Sequence, residues 1–277
     1  MFTINTIFDS EFSQFLDLNI YSFIVLSLFF LIVGSFVSCL VYRIPLKSHE
    51  NVNIFFPSSH CPVCKNSIKK IFLIPLIGFI VQKGICFKCK TKISYFYPLT
   101  EIYFLLLGLS LLLGFGLSYS SIVLFLISAI YYILFFTDLY HKYLPLPLTM
   151  LIIALGSLSN IFLELFINFL YLDIELSAHA FVISGFLVGY GFLWIINFIF
   201  KKINGFDGIG GGDFILLGGI GTIFGPISIL PIVFFGSLIG CICFVIFKFK
   251  RNQELPFGSF LILSTKLYFL SIYFELI

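Results

Sequence analysis

Long uninterrupted apolar runs, separated by short polar segments, dominate the chain. The runs cover 21–42, 98–118, 120–137, 147–171, 177–200, 214–229, 230–247 and 257–277. A helix that crosses a bilayer needs about 20 apolar residues, and these runs lack the period-two alternation of barrel strands. The pattern therefore predicts an all-α polytopic membrane protein with about eight transmembrane helices.

One polar segment, 43–97, is much longer than the others and separates the first apolar run from the second. We therefore expect three parts along the chain. These are an N-terminus with the first transmembrane helix (1–42), a loop domain (43–97, called the cysteine loop below) and a membrane core of seven helices (98–277).

Composition excludes several classes of protein. Hydrophobic residues make up 60% of the chain and charged residues only 10%. So few charges cannot cover a water-facing surface, which excludes a soluble domain and a disordered chain. The net charge of +3 comes without a dense basic stripe, so nucleic acid is not an expected partner. The expected environment is a lipid bilayer.

Basic residues predict the orientation. Fifteen of the 16 Lys and Arg residues fall in the alternate segments 43–97, 138–146, 201–213 and 248–256. Cytoplasmic loops are rich in these residues, so the cysteine loop is predicted in the cytoplasm and both termini outside. The exception is Lys266 in the last run, which we expect to face the bundle interior or a water-filled groove.

Four of the seven cysteines form two pairs, Cys61 with Cys64 and Cys86 with Cys89. Two-residue gaps allow two thiolates to hold one metal ion, and two such pairs predict a closed four-thiolate zinc site. A reducing cytoplasm disfavours disulfides, and free thiols are the alternative. A closed site has a structural role, because it supplies folding energy to a loop with little core. Glu101, just after the loop, is expected to fix the loop to the bundle.

Two acidic residues stand at the ends of apolar runs. Asp138 follows the third run, and Asp213 precedes the sixth and follows four glycines within five residues. The topology puts both at the cytoplasmic boundary, where an ionisable group is a functional hypothesis by default. Two adjacent carboxyl groups can share one proton, so that one acts as a base on water. This is aspartic peptidase chemistry. A single Asp would favour helix capping, whereas a pair at matching depth favours function.

Several short motifs together resemble a known family, the type IV prepilin peptidases, over nearly the whole chain. The motifs are the segments 34–36, 42–45, 74–75 and 93–101, both cysteine pairs, Asp138 with 144–145, 210–213, and 256–258. The resemblance implies that Asp138 and Asp213 are the catalytic pair of a Gly-x-Gly-Asp intramembrane aspartic peptidase. It implies cleavage of the short basic leader of prepilins and pseudopilins after a glycine, at the bacterial inner membrane.

For the form that carries the cysteine loop, the resemblance also implies N-methylation of the new N-terminus from S-adenosylmethionine. No sequence motif identifies the residues that bind this cofactor. Three positions depart from the residues that the family often has: Ser38, Leu146 and Ile215 stand in place of Asn, Asp and Lys. None of them belongs to the aspartate pair.

Three alternatives stay open at this point. The first is a peptidase without methylation. The second is a channel or transporter with functional intramembrane acids, which predicts internal repeats and broken helices near the membrane centre. No clear repeat is present, and both aspartates fall at one face. The third is a zinc-stabilised assembly factor without catalysis, which would tolerate Asn at either aspartate.

Overall fold

Helices form the secondary structure in a computed structural model, which describes residues 20–46, 56, 58–169, 177–248 and 255–274. The α-helices are α1 (Ile20–Leu46), α2 (Ile77–Val81), α3 (Phe96–Phe115), α4 (Tyr119–His141), α5 (Leu146–Leu163), α6 (Leu165–Phe169), α7 (Ala178–Asn204), α8 (Gly211–Phe224), α9 (Ile229–Ile246) and α10 (Phe257–Tyr273). Within the described ranges no β-sheet is present, only two isolated bridges in the cysteine loop. The prediction of an all-α fold is confirmed.

Six of the helices, α1, α3, α4, α5, α7 and α9, are long and apolar enough to cross a bilayer. Helices α8 and α10 are apolar but have only 14 and 17 residues. A full crossing needs about 20 residues. The structure therefore shows a multi-pass membrane protein, and the count of eight crossings stays a prediction. The predicted outer N-terminus lies outside the described residues, as do Lys250 and Arg251 of the last basic segment.

The fourth predicted run, 147–171, is not one continuous helix. Glu164 adopts a left-handed conformation (φ 47°) that ends α5, and α6 begins at the next residue. Asn160 supports the break, because its Oδ1 accepts the Phe166 N–H at 3.0 Å. Its Nδ2 donates to the carbonyl oxygens of Thr222 and Ile223 at 2.7 and 3.0 Å. The polar side chain that ends the helix thus also ties it to α8.

The chain divides into two compact units, Met1–Ala129 and Ile130–Ile277. In the first unit, α1 packs on α3 through small residues, since a Cβ on Gly34 would lie 2.8 Å from the Glu101 Cα. The rings of Phe30 and Phe104 each pack on Phe125, at 5.1 and 5.8 Å between centroids. The division of the chain into three parts, with boundaries after residues 42 and 97, stays a prediction.

Helix α8 lies at the centre of the second unit. Its residues Leu216, Leu217 and Ile220 have no exposed surface. Gly185 on α7 and Gly221 on α8 face each other so closely that a Cβ on either would overlap the other's carbonyl. Small residues let membrane helices approach in this way. Helix α8 is consequently held by a close-packed core.

Candidate active site and metal centre

Two carboxyl groups meet in the second unit. Asp138 lies in the last turn of α4 and Asp213 in the first turn of α8, and these residues are only 5% and 9% exposed. A Cβ placed on Gly258 would lie 3.2 Å from Asp138 Oδ2 and 3.0 Å from Asp213 Oδ1. Since both oxygens lie so near one point, the structure brings the predicted aspartate pair together.

Ser259, at the start of α10, holds the Asp138 carboxyl group. Its backbone N–H donates to Asp138 Oδ2 at 2.6 Å, and its Oγ lies 2.9 Å from the same oxygen. The Ser259 hydroxyl also lies 2.9 Å from the Phe135 carbonyl oxygen. A hydroxyl carries one hydrogen, so these two contacts compete for it, whereas the backbone N–H contact is fixed. Ser259 therefore sets the orientation of the Asp138 side chain.

The Asp213 side chain is less constrained by hydrogen bonds. Its backbone N–H donates to the Gly210 carbonyl at 3.1 Å. Its Oδ1 is buried and has no hydrogen-bond partner among the described protein atoms. Most buried polar atoms have a partner, because leaving one without it costs about 1–3 kcal/mol. Asp213 Oδ1 can therefore accept a further hydrogen bond beside Asp138.

Two glycines and one leucine shape the space next to the pair. A Cβ on Gly212 would lie 3.0 Å from Leu144 Cβ, and one on Gly258 would lie 2.9 Å from Leu144 Cδ1. The predicted glycine segment is partly helical, since α8 begins at Gly211 rather than at 214. The glycines thus let the backbone approach the 144–145 turn.

Asn197 on α7 clamps the segment that leads to Asp213. Its Oδ1 accepts the N–H groups of Gly208 and Ile209 at 2.8 and 3.1 Å, and the residue is 6% exposed. Its Nδ2 donates to Asp207 Oδ1 at 2.9 Å. A single buried amide thereby fixes the three successive residues 207–209, which precede the Gly210–Gly212 run.

Asp207 forms an ion pair with Lys201 at 2.8 Å, in which both side chains are about half exposed. The hydrogen bonds from Lys201 and then Asn197 hold the pKa of Asp207 below its usual value. Asp207 is thus occupied by its own chain and anchors the loop.

The four predicted zinc ligands converge in the first unit. The sulfur atoms of Cys61, Cys64, Cys86 and Cys89 all lie within 4.8 Å of one another (the cysteine cluster below). Cys61 and Cys89 are 3.8 Å apart, and Cys64 and Cys86 are 4.0 Å apart. Zn–S bonds of about 2.3 Å in a tetrahedron put the sulfurs about 3.8 Å apart, so the cluster fits zinc. The Thr91 hydroxyl lowers the pKa of Cys89 to about 6, which favours its thiolate, whereas burial and the neighbouring thiols raise the pKa of Cys64 to about 11.

The two cysteine pairs share one backbone conformation. The N–H of Lys65 donates to the Cys61 carbonyl at 2.9 Å, and that of Lys90 donates to the Cys86 carbonyl at 3.0 Å. Both lysines follow the second cysteine of their pair and have positive φ angles of 55° and 60°. The structure thus presents two matching turns to one metal position.

Glu101 fixes the cysteine loop to the first unit, as predicted. Its Oε2 accepts the N–H of Leu76 at 2.7 Å, although the two residues lie 25 positions apart. Leu76 has a positive φ of 60°, so this hydrogen bond holds the loop in a conformation that it would otherwise avoid. Lys266 in α10 is half-buried, and the surface that it faces stays a prediction.

Sequence reasoning missed two residues that position the aspartate pair. Ser259 directly follows the 256–258 motif, which marked the region but not the hydroxyl. Asn197 lies within an apolar run. A polar amide is unusual in such a run, and this was the sequence signal that could have identified the residue.

Comparison with known families identifies both halves of the chain. The profile of the bacterial peptidase A24 N-terminal domain matches residues 28–115. The profile of the type IV leader peptidase family matches residues 122–245. The first match covers the cysteine cluster, and the second covers both aspartates.

Similar proteins share most of their length with the chain. A prepilin leader peptidase/N-methyltransferase of Neisseria gonorrhoeae is 30% identical over 255 residues, which is 84% of this chain and 85% of that protein. A protein of the same description from Dichelobacter nodosus is 31% identical over 272 residues, 88% of this chain and 89% of that protein. The corresponding Pseudomonas aeruginosa protein is 31% identical over 258 residues, 84% and 85% of the two chains. No solved structure is significantly similar to the chain.

The fold and the site define a helical membrane protein with a buried carboxyl pair and a cysteine cluster suited to a metal. The identity and coverage of its relatives are specific enough to name the family. The chain belongs to the type IV leader peptidase family, which places it among the peptidases.

Proposed function

We propose that this protein is a membrane aspartic endopeptidase that removes the short basic leader of type IV prepilins and pseudopilins after a glycine. One observation carries the proposal, the approach of Asp138 Oδ2 and Asp213 Oδ1 to within 3.2 Å of a single point beside Gly258. The names of the relatives, prepilin leader peptidase/N-methyltransferase, support the substrate class.

The pair divides the work of acid and base. The Ser259 N–H, 2.6 Å from Asp138 Oδ2, stabilises a carboxylate there, so we assign the base to Asp138 and the acid to Asp213. Asp138 takes a proton from a water, and the water oxygen bonds to the carbonyl carbon of the glycine. Asp213 supplies a proton to the leaving nitrogen as the C–N bond breaks. One proton thus passes from the water to Asp138 as the C–O bond forms, and one passes from Asp213 to the amine as the C–N bond breaks; positioned carboxyl groups are suited to both transfers.

The membrane arrangement belongs to the same proposal. Eight crossings place both termini outside and the cysteine loop in the cytoplasm of a bacterium, with the aspartate pair near the cytoplasmic face of the inner membrane. Fifteen of the 16 basic residues support this orientation. Helix α8 is shorter than a bilayer needs, but it is buried by protein, so its length need not match the lipid.

Zinc has a structural role in the proposal. The cysteine cluster offers four thiolates, which fill a tetrahedral site and leave no position open for a substrate or a water. The residues that would hold the ion are Cys61, Cys64, Cys86 and Cys89. Bound there, zinc would supply folding energy to the loop.

A second activity, methylation of the new N-terminus from S-adenosylmethionine, completes the proposal. The relatives carry N-methyltransferase in their names, and their similarity covers the cysteine loop as well as the peptidase core. The cofactor would supply a methyl group, and the amine released by cleavage would accept it.

The direct test is incubation of the purified protein with a peptide that has a basic leader, a glycine and then an apolar segment. We expect cleavage after the glycine, and loss of cleavage when valine replaces that glycine. A peptide that stays intact, or that is cut elsewhere, would contradict the proposed peptidase activity. The channel or transporter hypothesis would then have to be considered again. Reporter fusions that place the cysteine loop outside the cytoplasm would contradict the topology.

A further inference from the structure

The cysteine loop contains an apolar stretch that neither candidate site uses. Residues 71–81 (the apolar segment below) are eleven consecutive residues without a polar or charged side chain, in a loop that is otherwise polar. A stretch of about 10–14 apolar residues is too short to cross a bilayer. It is typical of a buried core helix or of a segment that lies at the membrane interface. The exposure of its side chains distinguishes these two possibilities.

The apolar segment is not a buried core. Ile71, Ile77, Ile80 and Val81 are 61%, 52%, 70% and 62% exposed. The last three are spaced i, i+3 and i+4 along α2, so they lie on one face of this short helix. Among the described residues, no layer of protein covers that face. The interface is therefore the favoured location.

A hydrogen bond fixes the level of the apolar segment relative to the membrane. Glu101 Oε2 accepts the Leu76 N–H at 2.7 Å, and α2 begins at the next residue. Glu101 is the sixth residue of α3, so a rise of about 1.5 Å per residue puts it roughly 8 Å from the start of that helix. Since α3 has 20 residues, about the number that a crossing needs, its first turns lie among the headgroups and the adjoining acyl chains. The apolar segment is thus held at the level of the lipid.

The backbone of the apolar segment also suits an environment with little water. The N–H groups of Gly78 and Ile80 donate to the carbonyls of Ile74 and Leu76 at 2.8 and 3.0 Å. The Leu76 N–H, at a residue with positive φ, has its acceptor in Glu101. Backbone groups that enter lipid need partners within the protein, because no water is there to bond them. These hydrogen bonds meet that need.

Basic residues border the apolar segment on both sides. Lys69 and Lys70 precede it, and Lys83 follows it after one residue. Between positions 58 and 97 the chain has seven lysines and no Asp or Glu, and four thiolates around one Zn²⁺ would offset only two of these charges. Lys70 and Lys83 are exposed, so they can reach headgroups while the apolar residues between them lie deeper. The anionic lipids of a cytoplasmic leaflet complement this charge.

We propose that the apolar segment lies in the cytoplasmic leaflet of the bilayer. Ile77, Ile80 and Val81 contact acyl chains, and Lys70 and Lys83 contact the headgroups of anionic phospholipids, as in other amphipathic segments at an interface. The cysteine loop is then docked on the bilayer between α1 and α3 rather than held only by its two ends. The inference takes the orientation of the loop from the proposed function and is otherwise independent of both activities.

The test is quenching of tryptophan fluorescence by brominated lipid, with the full-length protein in nanodiscs of phosphatidylcholine and phosphatidylglycerol. The chain has one tryptophan, Trp194, which is 48% exposed on the spanning helix α7 and serves as the positive control. Trp194→Phe keeps an aromatic ring beside Phe198 and provides a background without tryptophan. In that background Ile80→Trp is the reporter. Val63→Trp, between Cys61 and Cys64, is the control at a similarly exposed position (66%).

Bromine near the headgroup end of the acyl chains should quench Trp194 and the Ile80→Trp reporter at least about twofold, and Val63→Trp little. Val81→Trp is a second reporter on the same helix face, and zinc content shows whether each variant keeps its loop intact. Lys70→Gln combined with Lys83→Gln should weaken the quenching of Ile80→Trp, as should nanodiscs of phosphatidylcholine alone.

Three outcomes would overturn the inference. Reporters that acrylamide quenches from the water but brominated lipid does not would place the face in solvent. Reporters that neither quencher reaches would mean that protein covers the face. Equal quenching of Val63→Trp would remove the distinction of the apolar segment, and quenching that ignores both lysines would overturn the contact with anionic headgroups. Peptide cleavage is measured separately, so failure of the reporters leaves the proposed peptidase standing.

Discussion

The aspartate pair and the cysteine cluster are fixed by opposite means. Asp213 lies in the first turn of a helix whose residues Leu216 and Leu217 have no exposed surface, so close packing holds the helix that carries the carboxyl group. In the cysteine loop, by contrast, Ile71, Ile80 and Phe87 are each more than 60% exposed. A segment with so little core depends on its metal site for order. A substitution in the pair should therefore change chemistry and spare the fold, whereas one in the cluster should do the reverse.

The largest effect is expected at the aspartate pair. Asp138→Asn and Asp213→Asn should each lower the cleavage rate by about 10²–10⁴-fold, because positioned acid–base groups contribute that much. Both variants should still insert and keep their zinc. The control is Glu164→Gln, an exposed acid at the end of α5, which should cleave normally. Near-normal cleavage by either asparagine variant would remove that residue from the mechanism. Peptide turnover followed by mass spectrometry measures all three.

Loss of one cysteine ligand should affect the cysteine loop and methylation more than the aspartate pair and cleavage. Cys61→Ser should release zinc and unfold much of the loop, since metal binding and folding are coupled. Methylation should fall by at least about tenfold while cleavage is largely retained. Cys241→Ser, at an exposed cysteine of α9, is the matched control and should keep both activities. Equal loss of cleavage and methylation would mean that the loop holds the whole protein together.

A smaller effect on cleavage is expected at Gly258, which packs against the carboxyl groups of the aspartate pair. Gly258→Ala would place a methyl 3.0 Å from Asp213 Oδ1 and 2.9 Å from Leu144. Such overpacking costs about 1–3 kcal/mol, and a small displacement of the pair should slow cleavage about tenfold. Gly191→Ala, on α7 with nothing within 4 Å of the new methyl, should leave the rate unchanged. If the two alanine variants cleave equally fast, the space beside Gly258 has no part in the reaction.

The smallest effect is expected at Asn197. Asn197→Ala leaves the N–H groups of Gly208 and Ile209 without their acceptor, which costs about 1–3 kcal/mol of stability. We expect a lower thermal midpoint and a fall in cleavage smaller than that of Gly258→Ala. Asn204→Ala is the control, because among the described residues that exposed amide donates only to the Phe200 carbonyl. Identical melting of the two variants would show that the clamp adds no stability.

The sequence predicted the helices well, because within a bilayer the backbone N–H and C=O groups must form their hydrogen bonds inside the protein, which few structures other than helices allow. It also predicted which side chains the structure brings together at the two candidate sites. Two-residue cysteine spacing and paired intramembrane acids are each rare without a function. The contact of Glu101 with the cysteine loop was also predicted, because Glu101 lies just after residue 97, where the loop ends.

Contacts between distant residues could not be predicted in the same way. Ser259 and Asp138 lie 121 positions apart, and only the packing of α4 and α10 brings them together. The break at Glu164 depends on Asn160 reaching Thr222, 62 positions away.

The central claim is that cleavage and methylation depend on different regions, and the N-terminal mass of the substrate tests it most directly. Uncut peptide should be cleaved but left unmethylated by Cys61→Ser, and should stay uncut with Asp138→Asn. Supplied with peptide that already lacks its leader, Asp138→Asn should methylate it at the wild-type rate, and Cys61→Ser should not. If Asp138→Asn fails to methylate the pre-cut peptide, or if Cys61→Ser methylates it normally, the separation of the two activities is contradicted.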